Sequence, residues 1–270
     1  MFVYWPTVRT GYLSVHGSDL FGRPTVFVGA SNFLTVATDP GLQRVVLTTV
    51  VIAGVSTALA TGTALLAALL LRTASPRGGR VATLVFSLPF AYSAAAASAT
   101  FAALFAPVVG VITRLLSVLT GSAGPQWLTD PVWAVAAIII ATSWYEFGFA
   151  FLVLIAAMSR LDREVLEAAA LDGAGEIRTA LRIVVPALRP SLLFLVITQT
   201  VSGLQIFTQV QVITRGGPGT ATHTLVYELY ERAFGAGFPQ YGIASVLALV
   251  LLVLVIAITA VQFRVSRERP

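Results

Sequence analysis

EAAALDGAGEIRTALRIVVP, Glu167 to Pro186, is a charged, turn-containing insert between two long apolar runs. It divides into two short helical patterns about Gly173-Ala174-Gly175. Ahead of the glycines, Val165, Leu166 and Ala169 share one face, while Arg163, Glu164 and Glu167 lie mostly off it. Beyond them, Ile177, Ala180, Leu181, Val184 and Val185 recur at i, i+3, i+4, i+7 and i+8, the apolar stripe of an amphipathic helix. Arg178 and Arg182 fall off that stripe, and Pro186, which lacks an N–H and crowds the preceding turn, is expected to end it. Two short helices hung between apolar runs read as a docking element for something soluble.

Outward from this insert the chain reads as a membrane protein. Of 270 residues, 57% are apolar and 11% charged, where soluble domains hold about a quarter charged. Five runs, 45–71, 81–113, 131–159, 190–214 and 233–263, are each long enough to cross a bilayer, which takes about 20 residues. Lipid offers no hydrogen bonds, so each run is expected to be helical. The second run exceeds one span and is expected to break at Pro107 and Gly110; the glycine-rich start of the last reads as loop. Residues 1–13 are apolar and aromatic but too short to cross, and no basic region precedes an apolar core as in a signal peptide. The fold class is therefore an all-α polytopic membrane protein of five full spans. Its division is 1–44 (a partial first helix and outer segment), 45–265 (the membrane domain, carrying the inner loop 160–186) and 266–270 (a tail).

Cysteine is absent, which excludes disulfides, thiol chemistry and thiolate metal sites. All 17 basic residues are arginine, so there is no Walker A lysine. If ATP drives this protein, another chain binds it. A net charge of +5 invites a nucleic-acid reading, but the arginines sort by membrane side instead. With the 160–186 loop inside, the inner segments hold eleven of the 17: Arg72, Arg77, Arg80, Arg160, Arg163, Arg178, Arg182, Arg189, Arg264, Arg267 and Arg269. The bias places that loop and the C-terminus in the cytoplasm. The tail Arg267-Glu268-Arg269 reads as a solvated helix end or a contact for anionic lipid.

Glu146 is the one ionisable residue deep in a span. An acidic side chain at a helix centre costs roughly 2.5–3.5 kcal/mol on insertion scales, so it must face a wet path or a partner on a neighbouring helix. Thr142, Ser143, Trp144, Tyr145 and Phe149 surround it in sequence with hydroxyls and aromatic faces suited to a polyol or sugar. The next run is unusually polar, with Gln199, Ser202, Gln205, Gln209 and Gln211. Ser202, Gln205 and Gln209 are spaced i, i+3, i+7 and are expected to share a face, where they bind solute hydroxyls or join helices. Gly54, Ala58 and Gly62 form a small-residue stripe for close helix approach. His16 and His223 read as isolated, solvated outer residues, and no nucleophile–base pair or metal-ligating cluster is visible.

The pattern Glu167-Ala168-Ala169, three residues, Gly173, nine residues, Ile183, one residue, Val185-Pro186 resembles the EAA loop of permeases in binding-protein-dependent ABC importers, with Val185 where that family has Leu. Phe27-Val28-Gly29-Ala30-Ser31-Asn32-Phe33 is similar to the F-x-G-x-x-N-[FY] segment of its sugar-type members, and Thr214-Arg215-Gly216-Gly217-Pro218 with Thr222 to Phe234 to their T-x-G-G-P…Y-x-x-A-F segment. The amphipathic part of the latter is expected to lie against the binding protein. Relatives begin with a full first helix, near whose end this chain looks to start. EAAALDGAG, TLVYELYERAF and TAVQFR resemble most the glycerol-3-phosphate and glycerophosphodiester branch. The resemblance implies a type I importer membrane domain in a bacterial plasma membrane. It implies a second homologous permease, two copies of an ATPase subunit that carry ATP and Mg, an external substrate-binding lipoprotein, and no nucleic acid or cofactor on this chain. It assigns ATPase coupling to Glu167, Ala168, Ala169, Asp172, Gly173, Ala174, Gly175 and Pro186. It assigns the substrate path to Thr142, Tyr145, Glu146, Phe149 and the turn from Ser202 to Ile206, with Gly203 and Gln205; Trp144 and Gln209 join the candidates by their own chemistry. The solute implied is a glycerophosphate, glycerophosphocholine included, or a disaccharide such as trehalose or maltose; a secondary transporter is the rival class.

Overall fold

Asp39-Pro40 and Asp130-Pro131 open the two helices on which the fold is built. The proline supplies a helical φ at a position whose N–H has no partner anyway, and the aspartate accepts from the first free amides. The Gly41 N–H donates to Asp39 Oδ1 at 2.7 Å, and the Val132 and Trp133 N–H groups donate to Asp130 Oδ1 at 2.9 and 3.1 Å. The computed structural model describes residues 4–19, 21–121 and 124–267, so the tail residues 268–270 and the methionine start lie outside it.

In chain order, α1 (Tyr4–Ser14) is followed by a two-stranded antiparallel hairpin, β1 (His16–Ser18) with β2 (Pro24–Phe27), and by α2 (Ser31–Thr38). The spans are α3 (Pro40–Leu71), α4 (Pro76–Ala91) with α5 (Ala94–Leu104), and α7 (Pro131–Met158), with α6 (Val111–Thr120) between the last two. Then come α8 (Arg163–Leu171), α9 (Glu176–Thr179), the π-helical turn π1 (Ala180–Val184), α10 (Val185–Ala187), α11 (Arg189–Leu204), a second π-helical turn π2 (Val210–Thr214), α12 (Leu225–Phe234) and α13 (Tyr241–Arg267). Among the described residues α3, α7 and α13 are single helices long and apolar enough to cross a membrane. The bent pairs α4–α5 and α9/α10–α11 bring the possible spans to five.

Sequence expectations change at two helix boundaries. The second run breaks at Pro107–Gly110 as expected, between α5 and α6, but it also breaks at Tyr92–Ser93: α4 and α5 meet at 100°, with Pro89 inside α4 and the Ala96 N–H donating to Ser93 Oγ at 3.2 Å. The first full span starts at Pro40, five residues before the apolar run and ahead of the 44/45 boundary, because the cap and not hydropathy sets its start. The mixed segment before it holds two short strands and a helix. There Asn32 Nδ2 donates to the carbonyls of Ser14 and His16 at 2.9 and 3.2 Å, which gives the F-x-G-x-x-N-F segment a local structural job.

α3 and α7 form the central pair, flanked by α11 against α3 and α4 against α7. One apolar cluster fills the half away from the 160–186 loop, around Ile52, Phe101, Phe105, Ile138 and Val210. A second fills the half next to that loop, around Ala64, Phe151, Leu154, Val184 and Leu195. α1, α2 and α12 pack on α13 and the start of α3. The stripe Gly54, Ala58 and Gly62 lines an open groove of about 500 Å³ between α3, α11 and α13, and among the described residues nothing would meet a Cβ added at Gly54 or Gly62.

Candidate functional site

Asp162 caps α8 by accepting from the Glu164 N–H at 3.0 Å. At the other end the Ala174 N–H donates to the Ala169 carbonyl at 2.9 Å and the Gly173 N–H to the Ala170 carbonyl at 3.1 Å, the two crossed bonds of a Schellman stop. That stop needs a left-handed residue, and Gly173 supplies it at φ +75°. Gly175 then caps α9, whose Arg72 contact (Nη2 to Glu176 Oε2, 3.8 Å) ties it to the end of α3. Ala169 is buried and Ala174 half-buried, so the small side chains of the motif let the hairpin close on itself. Glu167, Ala168, Asp172, Gly173 and Gly175 are exposed.

The second helical pattern does not bury its stripe. Val184 is fully buried, but Ile177 is 77% and Leu181 62% exposed, and Leu171 at the tip of α8 is 89% exposed. Pro186 does not end the helix either. The chain passes through π1, whose wider turn accommodates a residue that lacks an N–H, and continues to Ala187; the bend of 65° comes between α10 and α11. The hairpin is therefore continuous with a span. Its exposed leucines and isoleucine are an apolar patch of the kind that marks an interaction site.

In the membrane half, α3 and α7 are in register, with Ser143 Oγ donating to the Ser56 carbonyl at 3.4 Å. One helical turn inward, Thr61 Oγ1 donates to Gln199 Oε1 at 2.7 Å, and Gln199 Nε2 donates to the Glu146 carbonyl at 3.1 Å. Gln199 thus joins α3, α7 and α11. Glu146 is 8% exposed, and its Oε2 is buried without a hydrogen-bond partner among the described residues, as are Thr142 Oγ1 and Thr57 Oγ1. Phe149 lies three residues on and packs between Phe90 (5.9 Å) and Phe194 (6.4 Å).

The other sequence candidates are not gathered with Glu146. Trp144 points to a different face of α7, where it meets Tyr92 and Phe101 and borders an apolar groove of about 610 Å³ with Phe86 and Phe147. Ser202, Gln205 and Gln209 do not share a helical face, because α11 stops at Leu204 and Gln205 is its cap; Ser202 and Gln205 are exposed, Gln209 half-buried. Gly203 is a packing position, where an added Cβ would come within 2.9 Å of the Ala53 Cα. Tyr145 is half-buried. Thr57, Thr61 and Gln199 belong to the same polar layer and were not singled out together in the sequence, where threonine in a span reads as an ordinary helix residue.

The outer cap corrects the reading of the histidines. His223 Nδ1 lies 2.6 Å from Glu228 Oε2, Arg232 Nε donates to Glu228 Oε1 at 2.7 Å, and Arg232 Nη1 donates to Gln240 Oε1 at 2.7 Å. His16 Nδ1 bonds the Tyr12 carbonyl at 2.7 Å. Neither is isolated. The bond from His223 holds the Glu228 carboxyl below its ordinary range, burial opposes this, and Arg232 adds to the lowering. A carboxyl depressed in the folded state contributes stability that is present above its unfolded pKa and is lost as pH falls through the folded value. Hydrogen-exchange protection of α12 is therefore expected to fall on acidification below about pH 4, before that of α3. In Glu228→Gln this acid step is expected to vanish; an unchanged step would show that another group controls it. Among the described residues no three His, Asp or Glu side chains converge as a metal site.

Residues 60–268 match the family model described as binding-protein-dependent transport system inner membrane component. The sn-glycerol-3-phosphate transport system permease protein UgpA of Brucella abortus biovar 1 (strain 9-941) is 34% identical, covering 100% of this chain and 90% of that one. The protein of the same name from Agrobacterium fabrum (strain C58 / ATCC 33970) is 31% identical over the same shares. In structure, a subunit of a bacterial ABC transporter involved in the import of the acidic polysaccharide alginate superposes with a TM-score of 0.84 at 22% identity, covering 100% of this chain and 91% of that one. A chain of the alginate transporter complexed with its pentasaccharide-bound periplasmic protein gives 0.85 at 21% identity, covering 99% and 89%. The chain is a membrane-spanning permease subunit and belongs to the family of binding-protein-dependent ABC transport system inner membrane components.

Proposed function

We propose that this chain forms half of the translocation path of an ATP-driven importer for glycerol 3-phosphate or its diesters. A second, homologous permease supplies the other half, two copies of an ATPase subunit dock on the inner hairpins, and an external binding protein delivers the solute to the α12 side. The observation that carries the coupling is the course from the exposed hairpin through α9, π1 and α10 and, past a 65° bend, into α11, whose last turn and cap hold Ser202 and Gln205. Two exposed polar side chains at the end of a span are poorly suited to lipid and suit a path or a partner. The relatives named for glycerol 3-phosphate support the solute class. ATP and Mg belong to the ATPase subunits, and the hairpin side faces the cytoplasm together with the C-terminus.

Within that class the buried Glu146 carboxyl, whose Oε2 has no partner among the described residues, favours a solute that brings a positive charge. A quaternary ammonium brought beside it favours the ionised carboxylate and is attracted to aromatic side chains such as Phe149, whereas a bare phosphate disfavours that ionisation. Glycerophosphocholine fits both ends. In the complete importer, Glu146→Gln is expected to reduce glycerophosphocholine uptake about ten-fold and to leave glycerol 3-phosphate uptake within two-fold. Equal losses for both solutes would reject the assignment of Glu146 to a cationic group. Co-purification of the chain with a nucleotide-hydrolysing subunit tests the wider reading.

A further inference from the structure

On the side opposite the hairpin, the turn after α5, the start of α6 and the loop before α7 enclose a cavity of about 350 Å³, lined among others by Thr113, Arg114, Ser117, Gln126 and Trp127. Two features give it the character of an anion site. The first is Trp127 in its wall, which is 6% exposed and whose Nε1, a donor only, is buried without an acceptor among the described residues; Thr113 Oγ1 is likewise without a partner. The second is charge. Arg114 is in no ion pair among the described residues, and no carboxylate lines the cavity. The nearest in sequence, Asp130, is occupied in capping α7.

The helix beside this cavity says where the anion comes from. Val111, Leu115, Val118 and Leu119, at i, i+4, i+7 and i+8, are between 57% and 80% exposed, so α6 shows a bare apolar stripe next to a cationic pocket. That is the make-up of a helix lying in a membrane interface. A free phosphate uses the pocket and leaves the stripe in water; a phospholipid uses both, headgroup in the pocket and acyl chains along the stripe. We propose that this cavity binds the phosphodiester headgroup of an anionic phospholipid of the outer leaflet and so anchors the α5–α6 corner to the bilayer surface. One positive side chain meets one negative phosphodiester, and the Trp127 N–H and the Thr113 hydroxyl donate to its oxygens.

The test uses the complete importer, purified in detergent and stripped of lipid, with binding followed by calorimetry. Short-chain phosphatidylglycerol, the matching diacylglycerol and inorganic phosphate form separate arms. Saturable binding of phosphatidylglycerol is expected, with little for the other two. Arg114→Gln is expected to weaken it roughly ten-fold or more, and Trp127→Phe, which keeps the ring packed on Phe105 and Trp133 (4.7 and 5.0 Å), roughly three-fold or more. Arg114 is exposed, so its variant is expected to keep the wild-type melting temperature. Binding unchanged in both variants would overturn the proposal, as would diacylglycerol binding as tightly as phosphatidylglycerol. Inorganic phosphate binding as tightly as the lipid would overturn the lipid source and assign the pocket to a free anion. A side chain of another subunit found seated in the cavity of the assembled importer would overturn it as well.

Discussion

Glu167→Ala is expected to abolish uptake by the assembled importer while the chain remains folded and in the membrane. Glu167 is exposed on α8 and has no ion pair among the described residues, so its removal costs this chain little by itself. The loss arises at the joint. Truncating one side of a charge pair that becomes buried on docking costs about 2–5 kcal/mol, a thirty-fold or larger drop in ATPase association. Leu171→Asp is expected to act alike, because it places a charge on a side chain that is 89% exposed in the free chain and that the proposed docking would shield. Glu176→Ala is the control. Its carboxylate is 70% exposed and meets Arg72 at 3.8 Å, a surface pair worth at most about 1 kcal/mol. Transport and ATPase co-purification that survive in both Glu167→Ala and Leu171→Asp would refute the docking role of the hairpin.

Gly148→Val is the second large effect, and it acts on assembly of the fold. A Cβ at Gly148 would lie 2.5 Å from the Phe90 N and 3.0 Å from the Pro89 Cβ. Backbone is the obstacle, so no rotamer change relieves it; α4 must move off α7, taking Phe86 away from Phe147 and Phe151. Overpacking of a tight contact typically costs about 1–3 kcal/mol, and backbone contact puts this case at the upper end or beyond. A lower melting temperature and a smaller monodisperse fraction after extraction are expected, more severe for valine than for alanine. A Gly148→Ala chain that melts with the wild type would mean that α4 and α7 are not packed this closely.

The hairpin and the count of spans were legible because their signals are local. Gly173 sits where the chain has to turn left-handed, and long uncharged runs admit few alternatives. Helix starts were equally legible but lay outside the hydropathy reading: Asp39-Pro40, Ser75-Pro76 and Asp130-Pro131 each place a capping oxygen before a proline, and each opens a helix. The bend at Tyr92–Ser93 has a proline three residues ahead of it, yet a proline does not by itself end a helix, as Pro186 shows within α10. What sequence could not supply is pairing across the bundle. Gln199 looks like any spare amide until Thr61 and Glu146 are placed on either side of it. His223 looks solitary until α12 turns Glu228 back onto it. The face shared by Ser202, Gln205 and Gln209 vanished because one residue, Gln205, leaves the helix.

The course from hairpin to α11 also fixes a mechanical ratio. α11 has 16 residues, an arm of about 24 Å at ~1.5 Å per residue, pivoted at the Leu188 elbow. Tilting such an arm by about 10° displaces its far end by roughly 4 Å, nearly the diameter of a methyl group. A small change of angle at Leu188 would therefore open or shut a gap beside Gln205.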